Sequence, residues 1–270
     1  MKPTAPGRIG FVSDLHILSR TGLVPPDWRM KRDPLAPMQA YLWDCFVDFR
    51  SRCPPLDILV IVGDLVEGET PTMKGTVGGV SDRYADQIEA ATEVLGPLVK
   101  KSKETILVTG TPFHEDEHVV EDIGSKLRTR KWATNGRRHS GIILDLTFRG
   151  QRINCSHHQT RGWMWLGGAA SRIAVLSAAA EASAKFNGAD VIVRGDLHTS
   201  VLQQTLGKWV CFLPAWTMPG AHAIKSMEAV RAHLATDIGA QVMTVTEDGD
   251  LAWSGNKFHY PLFKLPIVRA

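Results

Sequence analysis

Arg8-Ile9-Gly10-Phe11-Val12-Ser13-Asp14-Leu15-His16 decides the fold, because an apolar run stops abruptly at a carboxylate and an imidazole. The run is apolar on both faces, as a strand buried inside a covered parallel sheet must be. The same grammar recurs twice. Asp57–Val62 runs into Gly63-Asp64-Leu65-Val66-Glu67, and Thr105–Thr109 runs into Gly110-Thr111-Pro112-Phe113-His114-Glu115. Between the runs, Leu35, Met38, Leu42, Phe46 and Phe49 fall at helical spacing, as do Tyr84, Ile88, Ala91, Leu95 and Leu98. The alternation reads as βαβαβ, and in such sheets functional groups collect just past the carboxyl ends of the strands.

The second half is richer in strands. Gly141–Phe148 and Gln151–Ser156 flank a hairpin turn at Arg149-Gly150, and a small-residue helix is expected over Gly168–Phe186 with Ile173, Leu176 and Ala180 as its apolar stripe. Val191–Arg194, Val201–Leu206 and Lys208–Leu213 follow, then a hairpin around Glu247–Asp250. This half is expected to supply a second sheet. The Pro-rich, basic segment from Leu18 to Pro37 reads as a surface excursion. Two more strand ends carry ligand chemistry: Ser156-His157-His158 and Gly195-Asp196-Leu197-His198. Mixed carboxylate and imidazole donors suit Mn, Fe, Zn or Ni better than Ca. Strand alternation turns one imidazole of the His157–His158 pair toward the site, and His157 is preferred.

In this ordered set the chain resembles the calcineurin-like metallophosphoesterase superfamily, whose pattern is D-x-H, G-D, G-N-H, a lone His and G-H-x-H. Asp14 and His16 meet the first block, Gly63 and Asp64 the second, His157 or His158 the fourth, and His198 the end of the fifth. Two blocks depart: Thr111 stands where the pattern has Asn, and Asp196 where it has a metal-binding His. The Gly-Thr-Pro-x-His variant is similar to phage and prophage members. The resemblance implies a single domain over residues 1–270, an α/β fold built as a four-layer α/β/β/α sandwich of two mixed sheets with flanking helices, and a centre of two divalent cations, Mn preferred. Asp14, His16 and His198 would hold one cation and Asp64 would bridge. His157 would hold the second, together with Asp196 if that residue is a ligand rather than an orienting or inert replacement. His114 would donate to the phosphate or protonate the leaving oxygen, so the implied catalytic residues are His114 and Asp14.

The chemistry has its own logic. Two cations about 3.5–4 Å apart can clamp the attacking and leaving oxygens and lower the pKa of water to about 7. A shared carboxylate offsets their mutual repulsion, and a positioned His contributes roughly 10²–10⁴-fold by proton transfer. Phosphoester hydrolysis is therefore the expected activity, a phosphodiester in nucleic acid or a nucleotide ranking first. A phosphomonoesterase or protein phosphatase is the alternative enzyme, and a non-catalytic scaffold with a degraded second metal site the alternative from another class. Glu67 and Glu115 read as supporting or solvated groups.

Composition bounds these readings. The chain has 270 residues, 44% hydrophobic and 22% charged, which suits a soluble globular protein. A net charge of +3 fits an anionic substrate without requiring nucleic acid. The acid-free basic stretch from Lys126 to His139 is the candidate nucleic-acid surface, and Arg161, Trp163 and Trp165 are candidate walls of the site. The four cysteines form no C-x-x-C pair and are expected to be reduced and buried. Without a signal-like or membrane-length apolar run, a cytoplasmic location is expected.

Overall fold

The opening run forms strand β1 (Gly7–Ser13), and the two runs like it form β2 (Leu56–Val62) and β3 (Ser102–Val108). β2 lies between the other two and is parallel to both. The connections are helices α1 (Ala36–Arg52) and α2 (Tyr84–Val99), so the βαβαβ expectation is met. The structure is a computed structural model that describes residues 5–30, 32–68, 79–81, 83–132, 136–158, 166–183, 188–218 and 236–258.

Period-two alternation explains why these strands are apolar throughout. Ile9, Phe11, Ile58, Val60 and Val62 face one core, while Val12, Leu59 and Ile61 face the helices on the other side. Helix α3 (Glu117–Leu127) joins that helical layer, capped where Asp116 accepts from the His118 N–H (2.8 Å). On the outer edge, β4 (Ser140–Gly141) pairs with the end of β3; on the other, β10 (Ile238–Val245) runs antiparallel to β1 and closes a hairpin with β11 (Leu251–Phe258). The first sheet thus has the order β11-β10-β1-β2-β3-β4.

The second sheet comprises β5 (Ile143–Phe148), β6 (Gln151–Ser156), β7 (Val191–Arg194), β8 (Val201–Thr205) and β9 (Lys208–Phe212), in the order β5-β6-β7-β9-β8. Its three central strands are parallel and its edges antiparallel. Ile153, Cys155, Val191, Val193 and Cys211 pack onto the first sheet, while Ile192, Val210 and Phe212 pack beneath helix α4 (Leu166–Ala182). Two mixed sheets with helices on both outer faces make the α/β/β/α sandwich that the sequence suggests.

Three local readings are corrected. Gly141–Phe148 is not one strand: the chain leaves the first sheet after Gly141 and enters the second at Ile143, with Ile142 70% exposed at the crossing. The segment from Leu18 to Pro37 is not wholly superficial, because Leu18, Leu23 and Val24 are fully buried against the α1–α3 layer. The buried stripe of α4 is Ala170, Ile173 and Ala174; Leu176 is half exposed. All four cysteines are free and buried as expected, and burial pushes the Cys155 thiol up to about 12. Among the described residues no helix is long and apolar enough to cross a membrane.

Candidate metal centre

Parallel strands deliver their ends to one edge, and there the chain turns sharply. Asp14, His16, Asp64, Asp196 and His198 all hold positive φ, between 43° and 70°. Such backbone costs on the order of 1–3 kcal/mol per non-glycine residue and persists only where the surroundings impose it. Here they do. Past β1 and β2 the two chains stay hydrogen-bonded, from His16 N–H to the Asp64 carbonyl (3.0 Å) and from Ile17 N–H to the Leu65 carbonyl (3.0 Å). Trp216 N–H holds the Asp14 carbonyl (2.9 Å), and Asp237 N–H holds that of His198 (2.8 Å).

The side chains so placed converge. His157 Nε2 lies 3.1 Å from Asp64 Oδ2 and 3.9 Å from Asp14 Oδ1. His198 Nε2 lies 3.1 Å from Asp14 Oδ1, and both His16 and His114 present Nε2 4.0 Å from Asp64 Oδ2. Three groups have ligand atoms close enough to share a cation: Asp14, His16 and His198; Asp14, Asp64 and His157; and His16, Asp64 and His114.

The other atoms of these side chains are already spoken for. His157 Nδ1 donates to the Val62 carbonyl (2.8 Å), which fixes Nε2 as its inward nitrogen. His16 Nδ1 donates to Glu67 Oε2 (2.8 Å) and His114 Nδ1 to Glu67 Oε1 (3.2 Å). Asp64 Oδ1 accepts from the Thr111 N–H (2.6 Å) and hydroxyl (3.0 Å). Asp14 Oδ2 accepts from the Ser13 hydroxyl and from Asp196 N–H (3.2 Å). What remains is telling. Asp14 Oδ1, His16 Nε2 and His157 Nε2 are buried with no hydrogen-bond partner, despite their short separations. They converge on common points rather than on one another, and their number, charge and donor type fit a divalent transition metal.

Glycines make this approach feasible. A Cβ on Gly63 would sit 2.4 Å from the His157 ring, and one on Gly110 would sit 2.1 Å from the Asp64 nitrogen. The electrostatics follow from the packing. Burial alone would raise Asp64 and Asp14, but the imidazoles outweigh it: His157 chiefly holds Asp64 far below the carboxylate range, and His198 and His157 depress Asp14. Conversely, burial opposes protonation of His157 and His198, yet the Asp64 and Asp14 carboxylates raise both, His157 strongly. Glu115, buried beside Asp64 and accepting from the Leu65 N–H (2.8 Å) and the Gly110 N–H, is raised to about 7.

The structure brings Asp14, His16, Asp64, His114, His157 and His198 together. The Asp196 carboxylate lies 3.8 Å from His158 Nδ1 and belongs to none of the three groups, although its charge still acts on His157 and His198. His158 itself is largely exposed, whereas His157 is fully buried. Thr111 is spent on Asp64 rather than presented as a ligand. Glu67, read from the sequence as supporting or solvated, takes the first of those roles and orients two imidazoles. Its signal was there in a Glu three residues past Asp64, but its partners lie 51 and 47 residues away. In the basic stretch, Arg130 pairs with Glu104 (3.5 Å) and Arg138 with Glu117. Arg161, Trp163 and Trp165 lie outside the described residues.

No protein-family model and no curated protein sequence matches the chain. Among solved structures, Vacuolar Protein Sorting 29 from Cryptosporidium parvum is 10% identical over 95% of this chain and 100% of its own, with a TM-score of 0.47. A single mutant of Vps29 from Entamoeba histolytica is 13% identical over 93% and 99%, with a TM-score of 0.45. A novel archaeal phosphodiesterase is 12% identical over 92% and 99%, with a TM-score of 0.43. Likeness at this level assigns neither chemistry nor partners, so those rest on the residues themselves.

Proposed function

We propose that the chain is a metal-dependent phosphoesterase whose centre takes two divalent cations, Mn preferred over Fe, Zn and Ni. The observation that carries this reading is the set of buried, unpartnered ligand atoms: Asp14 Oδ1, His16 Nε2 and His157 Nε2. Asp14, His16 and His198 would hold one cation, Asp14 and His157 would help hold the other, and Asp64 would serve both. Bound cations supply the charge that neutralises a phosphoryl group and activate water for attack.

The protein's own groups do the rest. Thr111 pins Asp64 Oδ1 and so aims Oδ2 inward. Glu67 accepts hydrogen bonds from the Nδ1–H groups of His16 and His114, leaving both Nε2 atoms facing the centre. His114 is a quarter exposed and, against the effect of burial, its proton affinity is raised by Glu67. It is accessible and holds its proton more firmly than a free imidazole does, suited to donate to a phosphate oxygen and to protonate the leaving oxygen.

A phosphodiester, in nucleic acid or a nucleotide, is the favoured substrate. The Lys126–His139 stretch leads from α3 into β4, and β4 pairs with the end of β3 that carries Thr111 and His114 onward. The direct test is hydrolysis of bis-p-nitrophenyl phosphate with added Mn²⁺. The reading expects turnover that Asp64→Asn abolishes. A non-catalytic module with one cation is the second reading, favoured by the absence of the Asp196 carboxylate from the three groups of converging ligand atoms. No turnover with any divalent metal, together with at most one bound cation, would establish it instead.

A further inference from the structure

On the outer face of the second sheet, between α4 and β5–β7, lies a groove of about 630 Å³. That volume falls within the range of roughly 300–1,000 Å³ typical of small-molecule sites. Its walls are apolar along Ile173, Leu176, Ala180 and Ile192, and Asn154 and Arg194 also line it. None of the groups that converge at the metal centre lines the groove, although His158, next to His157, does. Cys155 of β6 faces the space between the sheets, so Asn154 and Ser156 face the opposite way, toward α4.

Two polar groups in the groove stand out: Arg194 is hydrogen-bonded but has no ion pair among the described residues, and Ser177 Oγ has no hydrogen-bond partner. Arg194 Nη1 donates to the carbonyls of Val193 (2.7 Å) and Asn154 (3.2 Å), and Nη2 donates to Asn154 Oδ1 (2.6 Å). All three partners are neutral, and among the described residues no carboxylate lies within ion-pair distance of this guanidinium. Asp145, which also lines the groove, accepts instead from Asn154 Nδ2 (2.7 Å). Asp145 acts on this guanidinium only from beyond ion-pair distance, so an anionic ligand seated in the groove would give it a direct partner. Burial holds Arg194 below the usual arginine range. On the facing helix, Ser177 Oγ is buried with no hydrogen-bond partner.

We propose that this groove binds a single-chain carboxylate, its head group seated at Arg194 and Ser177 and its apolar chain laid along Ile173, Leu176 and Ala180. With the Asp145 carboxylate already lining the groove, a singly charged carboxylate is favoured over a doubly charged phosphate head. The exposure of Ile143 (55%) and Leu176 (49%) at the rim gives the chain an apolar entrance. Binding is independent of the metal centre.

Titration calorimetry on the full chain in EDTA tests this, with decanoate as probe and decanol and decyl phosphate as controls. Decanoate is expected to bind at least tenfold more tightly than decanol, and more tightly than decyl phosphate. Leu176→Asp places a like charge on an already exposed rim and is expected to weaken decanoate at least tenfold. Arg194→Met is expected to erase the preference for decanoate over decanol; if that variant does not fold, the wild-type ratio and Leu176→Asp still decide. Undetectable decanoate binding, equal affinity for decanol, preference for decyl phosphate, or an indifferent Leu176→Asp would each overturn the proposal.

Discussion

Replacing Glu67 with Gln should cripple the centre although Glu67 is proposed to touch neither cation nor substrate. Burial alone would raise the Glu67 carboxyl, but hydrogen bonds from His114 and His16 bring it down from 4.5 to about 2. At about 1.4 kcal/mol per tenfold change in proton affinity, that drop corresponds to about 3–4 kcal/mol net, so the interaction with the two imidazoles exceeds it by what burial costs. Gln keeps the size but not the charge, and it offers one acceptor where two are needed. Its amide N–H₂ would oppose one Nδ1–H, so that imidazole must move its proton to Nε2, the atom facing the centre. Groups that orient metal ligands in this way typically change affinity or activity by roughly 10–100-fold when lost. Calorimetric Mn²⁺ titration and phosphodiester turnover should both fall in that range for Glu67→Gln, with the fold intact by circular dichroism. Affinity and turnover within twofold of wild type would refute the reasoning.

The histidines predict a pH dependence. In the cation-free protein the ligand histidines His157 and His198 are raised above their usual value, so protons compete with a cation for them more strongly than for a free imidazole. Metal affinity should fall as pH drops from 8 to 6, with more than one proton released per chain, read by calorimetry in buffers of differing ionisation enthalpy; pH-independent affinity would contradict this. The sign for stability is the reverse. Raised histidines stabilise the cation-free fold below about 6.5 and lose that contribution as pH rises through their folded values, so the midpoint of thermal unfolding without cation should drop toward alkaline pH. For the fold, Leu23→Ala should cost about 2–5 kcal/mol in urea unfolding, because Leu23 is fully buried; a cost below about 1 kcal/mol would return its segment to the surface.

Much of the architecture is legible because strand burial imposes simple periods. The three apolar runs of the first half become the parallel strands of one sheet, and each is followed by residues of the candidate site. What escapes the sequence depends on tertiary partners. Leu18, Leu23 and Val24 sit among prolines and basic residues whose composition says surface, yet the α1–α3 layer closes over them. The crossing at Ile142 is invisible in an apolar run that continues through it, since only pairing partners show that β4 and β5 belong to different sheets. In α4, Leu176 has the right spacing for burial, but the small Ala170 and Ala174 let the helix approach the sheet on another face. At the candidate site the motif residues are visible one by one, whereas the double use of Glu67 requires two strand ends and the His114 loop to be brought together. The roles of Thr111 and Asp196 likewise depend on which neighbour each side chain finds.

The two-cation centre is tested most directly by counting the ions. Crystals grown with saturating Mn²⁺ and measured at the manganese absorption edge are expected to show two anomalous peaks about 3.5–4 Å apart. Both peaks should contact Asp64, one beside His16 and His198 and the other beside His157. A single peak beside His16 and His198, with His157 still unliganded, would contradict the account.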